Sequence, residues 1–177
     1  MVTATADVRS AAWAAAASTP DPELPMLTIA DLGILREVEV RDGRVVATIT
    51  PTYSGCPAMR EISADVEQRL RRAGYAEVEV RNRLAPAWSS DWITEQGRQK
   101  LAAAGIAPPA PARPSGPVAL TLGTSRIPLT LVPPVAPACP RCGSARTVRS
   151  AEFGATACKS LYRCQDCSEP FEAVKAL

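Results

Sequence analysis

The sequence contains no histidine among its 177 residues. Because imidazole is the usual general base near neutral pH, this absence excludes histidine-dependent serine and cysteine triads and every metal site that needs a histidine ligand. An iron oxygenase centre with two histidines cannot be built from this chain alone. The chain also lacks a glycine-rich phosphate-binding loop and a recognisable pair of catalytic carboxylates, so a free-standing enzyme is disfavoured.

The chain also has no strong excess of charge and no long apolar run. Its 20 basic and 18 acidic residues leave a net charge of +2, which gives no broad attraction to nucleic acid or to an anionic membrane. No stretch approaches the length of about 20 apolar residues that spans a bilayer. We therefore expect a soluble, cytoplasmic protein without a membrane or nucleic-acid partner.

The sequence predicts an α/β (α+β) domain at residues 1–105, with a small sheet of about three strands flanked by helices. Alternating apolar residues on both sides of the pair Asp42-Gly43 predict a β-hairpin. Three- and four-residue spacing predicts a helix from Pro57 that ends at Gly74. The other predicted elements are an alanine-rich helix at 11–17, a loop with three prolines at 18–25, a strand at 76–82 and a helix at 91–105 capped by Asp91.

Proline dominates the segment that follows. Residues 106–138 hold nine of the chain's 17 prolines, which is typical of an extended linker. We assign residues 106–137 to this linker and note two short apolar stretches, 118–123 and 127–132, that could form strands.

Five of the six cysteines lie in the last forty residues, which we assign to a separate module at 138–177. Two C-x2-C pairs can each place two thiolates on one side of a tight turn, and together they complete a tetrahedral shell. With three short strand candidates around them, the pairs predict a zinc ribbon, in which a closed four-thiolate shell holds the fold. An iron centre of the rubredoxin type is the alternative. The predicted ligands are Cys139, Cys142, Cys164 and Cys167.

Cys56 stands alone, between a predicted strand and the helix predicted to begin at Pro57. As the residue that caps this helix, it would face unpaired N–H groups and the positive end of the helix dipole. Such a position lowers a thiol pKa and makes a better nucleophile and metal ligand. The alternative is a small residue packed at a tight turn, with Gly55 supplying the backbone freedom.

Other candidate residues also have two interpretations. Cys158 is either a small buried apolar residue or a reactive thiol, whose pKa Lys159 would lower if both were exposed. Asp21 and Glu23 follow prolines and could be no more than solvated loop residues. A patch near the third predicted helix is either core or a docking surface; it consists of Trp88, Asp91 and Trp92.

Several motifs resemble a known family. "DPELPMLTIADLG" at 21–33 and "PTYSGCPA" at 51–58 resemble the SufT-like family associated with iron–sulfur cluster assembly. "LAPAWSSDWIT", "GIAPP", "CPRCGS", "AEFGATACK" and "YRCQDCSEPF" narrow the resemblance to the PaaD family of accessory proteins in bacterial phenylacetate degradation. The resemblance covers about residues 20–109 and 138–174.

This resemblance implies a role in support of phenylacetyl-CoA epoxidase, a multicomponent di-iron monooxygenase with an iron–sulfur reductase. The implied role is maturation of the metal centres, not ring epoxidation itself. Matched by position, Asp21 and Glu23 correspond to the family's acidic loop and Cys56 to its thiol, which together imply a site for transient iron or an iron–sulfur cluster. The implied partners are epoxidase reductase or oxygenase subunits, cluster-assembly proteins and a second copy of the chain.

Two other functions compete with maturation. The ribbon and the patch around Trp88 and Trp92 could dock onto the epoxidase without handling iron, with a purely structural zinc. Alternatively, the arginines and lysine of the ribbon could contact nucleic-acid phosphates, although acidic residues interrupt them and no base-reading motif is present.

Overall fold

The structure is a computed structural model that describes residues 2–110 and 136–176, with backbone alone for residues 2–6. The two short strands considered at 118–123 and 127–132 lie outside the described residues. The elements in chain order are helix α1 (Val2–Ala17), strands β1 (Leu35–Arg41) and β2 (Arg44–Ile49), helix α2 (Met59–Arg72), strand β3 (Glu77–Asn82), a 3-10 turn (Ser90–Trp92), helix α3 (Glu95–Ala103) and strands β4 (Thr147–Ala151), β5 (Lys159–Cys164) and β6 (Pro170–Val174).

The first sheet has the order β1-β2-β3 and confirms the predicted hairpin and third strand. β1 and β2 are antiparallel, and the residues between them, Asp42 and Gly43, have φ values of 50° and 79°. Two positive φ values are what a two-residue hairpin turn of type I′ requires, and Asp-Gly tolerates them. β3 pairs parallel to β2 after the α2 crossover. The core therefore lies between this sheet and the helices.

α2 presents the predicted apolar face but begins later than predicted. Ile62, Val66 and Leu70 are all buried, as their spacing indicates. The helix begins at Met59, with Ala58 as its N-cap, whereas the sequence predicted Pro57. The reason is a separate turn, in which the Met59 N–H donates to the Cys56 carbonyl over 3.4 Å. Cys56 therefore precedes this turn and is not the helix cap.

The helix predicted at 91–105 is also shorter than predicted. Ile93 is buried and extended, with ψ of 123°, so it separates the 3-10 turn from α3. Thr94 is the N-cap of α3, and its Oγ1 accepts the N–H of Gly97 over 3.0 Å. The prediction that Asp91 caps the helix is wrong, because Asp91 lies inside the 3-10 turn. Gly105, with φ of 76°, follows the helix where a stop was predicted.

The two tryptophans of the predicted patch have different environments. Trp88 is only 6% exposed, and its Nε1 donates to the Leu32 carbonyl over 2.9 Å. Trp92 is half-buried, and the guanidinium carbon of Arg36 lies 3.5 Å from its ring centroid. Trp88 is thus a core residue that fixes the chain before β1.

The C-terminal module is a second antiparallel sheet in the order β4-β5-β6, which confirms the three predicted strands. Ala107 joins this sheet to the first domain, since its N–H donates to the Glu172 carbonyl (2.8 Å) and its carbonyl accepts the Val174 N–H (3.0 Å). Val174 is buried in the core of the first domain. Ile106 and Ala107, which we assigned to the linker, are buried as well. None of the described helices is long and apolar enough to cross a membrane.

Candidate metal and thiol site

The acidic loop folds back on itself around Asp21. Oδ1 of Asp21 accepts the N–H groups of Glu23 (2.9 Å) and Leu24 (2.8 Å), and the Asp21 N–H donates to the Leu27 carbonyl (2.9 Å). A side chain that bonds the backbone two residues ahead is the usual way in which aspartate stabilises a tight turn. Asp21 is 6% exposed and Glu23 is half-buried. They are therefore not merely solvated loop residues.

Cys56 faces this loop from the turn between β2 and α2, with its side chain half-buried. Burial raises the pKa of the Cys56 thiol. The N–H groups of Ala58 and Met59 act in the opposite direction, but the carboxylates of Glu23 and Asp21 add to the increase. The predicted low pKa is thus wrong, because burial and two nearby negative charges outweigh the backbone N–H groups. Without a bound cation the thiol is protonated at neutral pH.

Cys158 lies at the same place, although it belongs to the ribbon. Its Sγ is 3.5 Å from Oε2 of Glu23 and 3.0 Å from Oγ1 of Thr156. Burial raises the pKa of Cys158 to about 11, and the charge of Glu23 contributes to this increase. The condition under which Lys159 would lower this pKa, exposure of both residues, is not met, since the Lys159 side chain is buried and its Nζ pairs with Glu172 over 2.7 Å.

These four side chains line one small cavity between the two domains. Its volume is about 20 Å³, which accommodates one water molecule or one ion. Apolar side chains such as Trp88 form the other walls. Within the described ranges, the four ribbon cysteines are the only group of three or more possible ligands placed to hold a metal ion, and their donor atoms all lie within 4.8 Å of one another. Asp21, Glu23, Cys56 and Cys158 therefore line the space without forming an assembled ligand group.

The four-cysteine cluster of the ribbon, in contrast, is fully assembled. The Sγ atoms of Cys139 and Cys167 are 3.7 Å apart and those of Cys142 and Cys164 are 3.6 Å apart. A tetrahedral zinc ion with sulfur ligands at about 2.3 Å requires sulfur–sulfur distances of about 3.8 Å, so the cluster fits such an ion. A disulfide would need about 2.05 Å. Without a metal the four thiols share their protons unequally. The backbone N–H groups of Cys167 and Asp166 lower the pKa of Cys164 to about 6. The Ser144 N–H lowers the pKa of Cys142, but the neighbouring sulfurs outweigh it and raise that pKa to about 12.

Sequence reasoning placed Cys158 near the ribbon shell and did not predict its contact with Glu23. No local signal could have done so, because 135 positions separate the two residues. The contact depends on how the ribbon packs against the first domain, through Val174 and Ala107.

Comparison with known proteins gives a match for each domain. Residues 9–81 match the family described as iron–sulfur cluster assembly protein, and residues 130–175 match the PaaD zinc beta ribbon domain. In a crystal structure of a domain of unknown function, DUF59, from Bacillus anthracis, 97% of that chain aligns with 57% of this one, at 26% identity and a TM-score of 0.53.

A relative matches nearly the whole chain. It is a protein of Escherichia coli (strain K12) assigned as a subunit of 1,2-phenylacetyl-CoA epoxidase. The two are 42% identical over 166 residues, which cover 93% of this chain and 91% of the relative. The order of the two domains, the assembled cysteine cluster and this full-length match agree: the chain belongs to the PaaD family of phenylacetyl-CoA epoxidase subunits, with an iron–sulfur cluster assembly domain followed by a PaaD zinc ribbon.

Proposed function

We propose that this chain is a cytoplasmic maturation factor, which delivers iron or an iron–sulfur cluster to the metal centres of phenylacetyl-CoA epoxidase. The observation that carries this proposal is the position of Asp21, Glu23 and Cys56 around one cavity. These residues come from two separate segments of a domain that matches iron–sulfur cluster assembly proteins. Their thiol and carboxylate groups are chemically suited to iron.

The environment of Cys56 suits a transient site better than a permanent one. A metal must displace the thiol proton in order to bind, so a raised thiol pKa weakens binding at a given pH. Burial, together with Glu23 and Asp21, raises the pKa of this thiol. A bound cation would be attracted by the same two carboxylates, and its departure would return the proton to sulfur. Such a site can both accept and release an ion.

We further propose that the metal of the ribbon is zinc and that its role is structural. Four thiolates leave no open position for a substrate. Cys139 and Cys164 are almost completely buried, which suits a permanent ligand shell. Since a module of this size buries little apolar surface, bound zinc would supply much of its folding free energy.

The test is maturation of the epoxidase in cells whose own copy of this chain is replaced by a variant. Cys56→Ser should reduce both the iron content and the activity of the purified epoxidase to the level found without the chain. The matched control is Glu61→Gln, which removes a carboxylate from the first turn of α2, outside the cavity. Equal zinc content and circular dichroism in all variants would establish that the fold is intact. Full epoxidase activity with Cys56→Ser would refute the proposal.

The alternative function is docking onto the epoxidase through the ribbon and the patch around Trp88 and Trp92. One observation weighs against the role of that patch. Of its two proposed aromatic anchors, Trp88 is buried in the core and Trp92 lies under Arg36. A stable, stoichiometric complex with epoxidase subunits that forms equally well with Cys56→Ser, together with unchanged iron in the epoxidase, would support docking over maturation.

A further inference from the structure

We propose that the ribbon completes the metal site of the assembly domain by supplying Cys158 as a second sulfur ligand. The cavity would then bind a single divalent transition-metal ion of the ferrous type between Cys56, Cys158 and the two carboxylates. This inference rests on the proposed function. It requires both domains for metal binding, because Cys56 belongs to the first domain and Cys158 to the ribbon.

The backbone around Cys158 holds this thiol at the cavity. The Lys175 N–H donates to the Cys158 carbonyl over 2.9 Å, and Lys175 directly follows Val174, which is buried in the core of the first domain. On the other side, the Lys159 N–H donates to the Thr156 carbonyl over 3.2 Å. Cys158 is thus fixed at the cavity by the same strand end that attaches the ribbon to the first domain.

The donor atoms define the class of ion. Two thiols and two carboxylates form a mixed sulfur and oxygen set, which suits Fe²⁺ or Zn²⁺ better than Mg²⁺ or Ca²⁺. Asp21 is more than nine-tenths buried, and among the described residues hydrogen bonds reach only its Oδ1, so Oδ2 remains available to a metal. Lys175 also lines the cavity, but its Nζ lies 3.5 Å from Glu152 and 3.9 Å from the ring centroid of Phe153.

The size of the cavity favours one ion over a preformed cluster. A volume of about 20 Å³ holds a single ion, whereas a cluster of several iron and sulfide ions is larger than this space. Because the four donors are not an assembled ligand group in this structure, side chains at the cavity would have to move for all four to bind one ion. Binding replaces two S–H bonds with two S–metal bonds and releases two protons to solvent, without electron transfer.

Cobalt(II) is a suitable probe, because absorption bands from sulfur to cobalt report the number of thiolate ligands. The protein should first be loaded with one equivalent of zinc, which the assembled four-cysteine cluster of the ribbon takes up before the cavity does, so that added Co²⁺ reaches only the cavity. We expect a sulfur–cobalt band in the unmodified chain. Cys56→Ser and Cys158→Ser should each lose about half of its intensity, since each variant removes one of two sulfur ligands. Ser150→Ala, an exposed change on the same ribbon, should leave the band unchanged.

The outcomes separate this inference from the function on which it rests. A band that disappears in Cys56→Ser but is unchanged in Cys158→Ser would refute the second ligand and leave the proposed function standing. Absence of any band in the unmodified chain would count against both. A readout that needs no variant is alkylation followed by mass spectrometry, in which bound Co²⁺ should protect both Cys56 and Cys158. Protection of Cys56 alone would also overturn the inference.

Discussion

The Nζ of Lys100 in α3 lies 2.7 Å from Oδ2 of Asp31, in the segment that continues from the acidic loop. The same oxygen accepts the N–H of Thr28 over 2.9 Å, and the Asp31 carbonyl accepts the N–H of Thr94 over 2.8 Å. Asp31 is 5% exposed. This one residue therefore connects the chain between α1 and β1 to the start and the last turn of α3, and it fixes the segment that leads from the cavity.

Asp31→Asn should destabilise the protein and make its free energy of unfolding less dependent on pH in the acid range. The substitution leaves Lys100 without its anionic partner, which we expect to reduce the free energy of unfolding by about 1 to 3 kcal/mol at neutral pH. Urea denaturation measures this change. The matched control is Asp65→Asn, which breaks the more exposed i,i+4 pair with Arg69 and should cost about 0.5 kcal/mol or less.

The pH dependence of this difference follows from the pKa of Asp31. Burial alone would raise that pKa, but hydrogen bonds from Lys100 and Thr28 outweigh burial and lower it. Since the folded-state pKa lies below the unfolded value of about 3.9, the stabilisation is complete above that value and is lost as the pH falls through the folded-state pKa. The difference between Asp31→Asn and the unmodified chain should thus shrink below about pH 4. A constant difference would contradict this assignment.

Gly97→Ala should destabilise the protein even though alanine is the better helix former. A Cβ at this position would lie 2.7 Å from the Asp31 carbonyl oxygen, a backbone atom that cannot move without disturbing the segment it holds. The gain in helix propensity is about 1 kcal/mol, and we expect the clash to exceed it, for a net loss of about 1 to 2 kcal/mol. Thermal unfolding measures the result, and a higher melting temperature than that of the unmodified chain would disprove the close approach.

Removal of the ribbon metal with a chelator should unfold β4, β5 and β6 while the first domain stays folded. Structural zinc contributes about 10 to 16 kcal/mol of apparent binding free energy to such modules, whereas the first domain has its own core. Hydrogen exchange should show lost protection only in the ribbon, while the amides of α2 and of the first sheet stay protected. Unfolding of both domains together would show that the first domain depends on the ribbon for its fold.

The alkylation of Cys158 should be slow at neutral pH and should accelerate in Glu23→Gln. Burial raises the pKa of this thiol to about 11, with Glu23 contributing, so little reactive thiolate is present near neutral pH. Removing the negative charge of Glu23 should lower the thiol pKa and shift the rate profile to lower pH. Mass spectrometry of alkylated peptides measures the rates, with Glu61→Gln as the control. If the alkylation rate of Cys158 depends on pH identically in Glu23→Gln and Glu61→Gln, the charge of Glu23 does not affect the pKa of Cys158.

The parts that sequence predicted well depend on residues close together in the chain. Asp42 and Gly43 favour the hairpin because both tolerate the positive φ values of its turn. Each C-x2-C pair likewise forms a turn from residues that are close in sequence. The contact between Cys158 and Glu23 was not predictable in this way, because it depends on packing between distant segments. The pKa of Cys56 was predicted in the wrong direction for the same reason, since burial and the approach of Glu23 are tertiary properties. The caps Ala58 and Thr94 differ from prediction because a turn and a buried Ile93 interrupt the helical path.

The hydrogen bonds that join Ala107 to β6 attach the ribbon to the first domain, and the end of this strand also holds Cys158 at the cavity. Unfolding of the ribbon would therefore remove a thiol from a site that the ribbon's own metal does not occupy. If Cys158 is a ligand at the cavity, as we propose, the supply of zinc would govern how this chain binds iron. A shortage of zinc would then weaken the proposed binding of iron by this chain even where iron is plentiful.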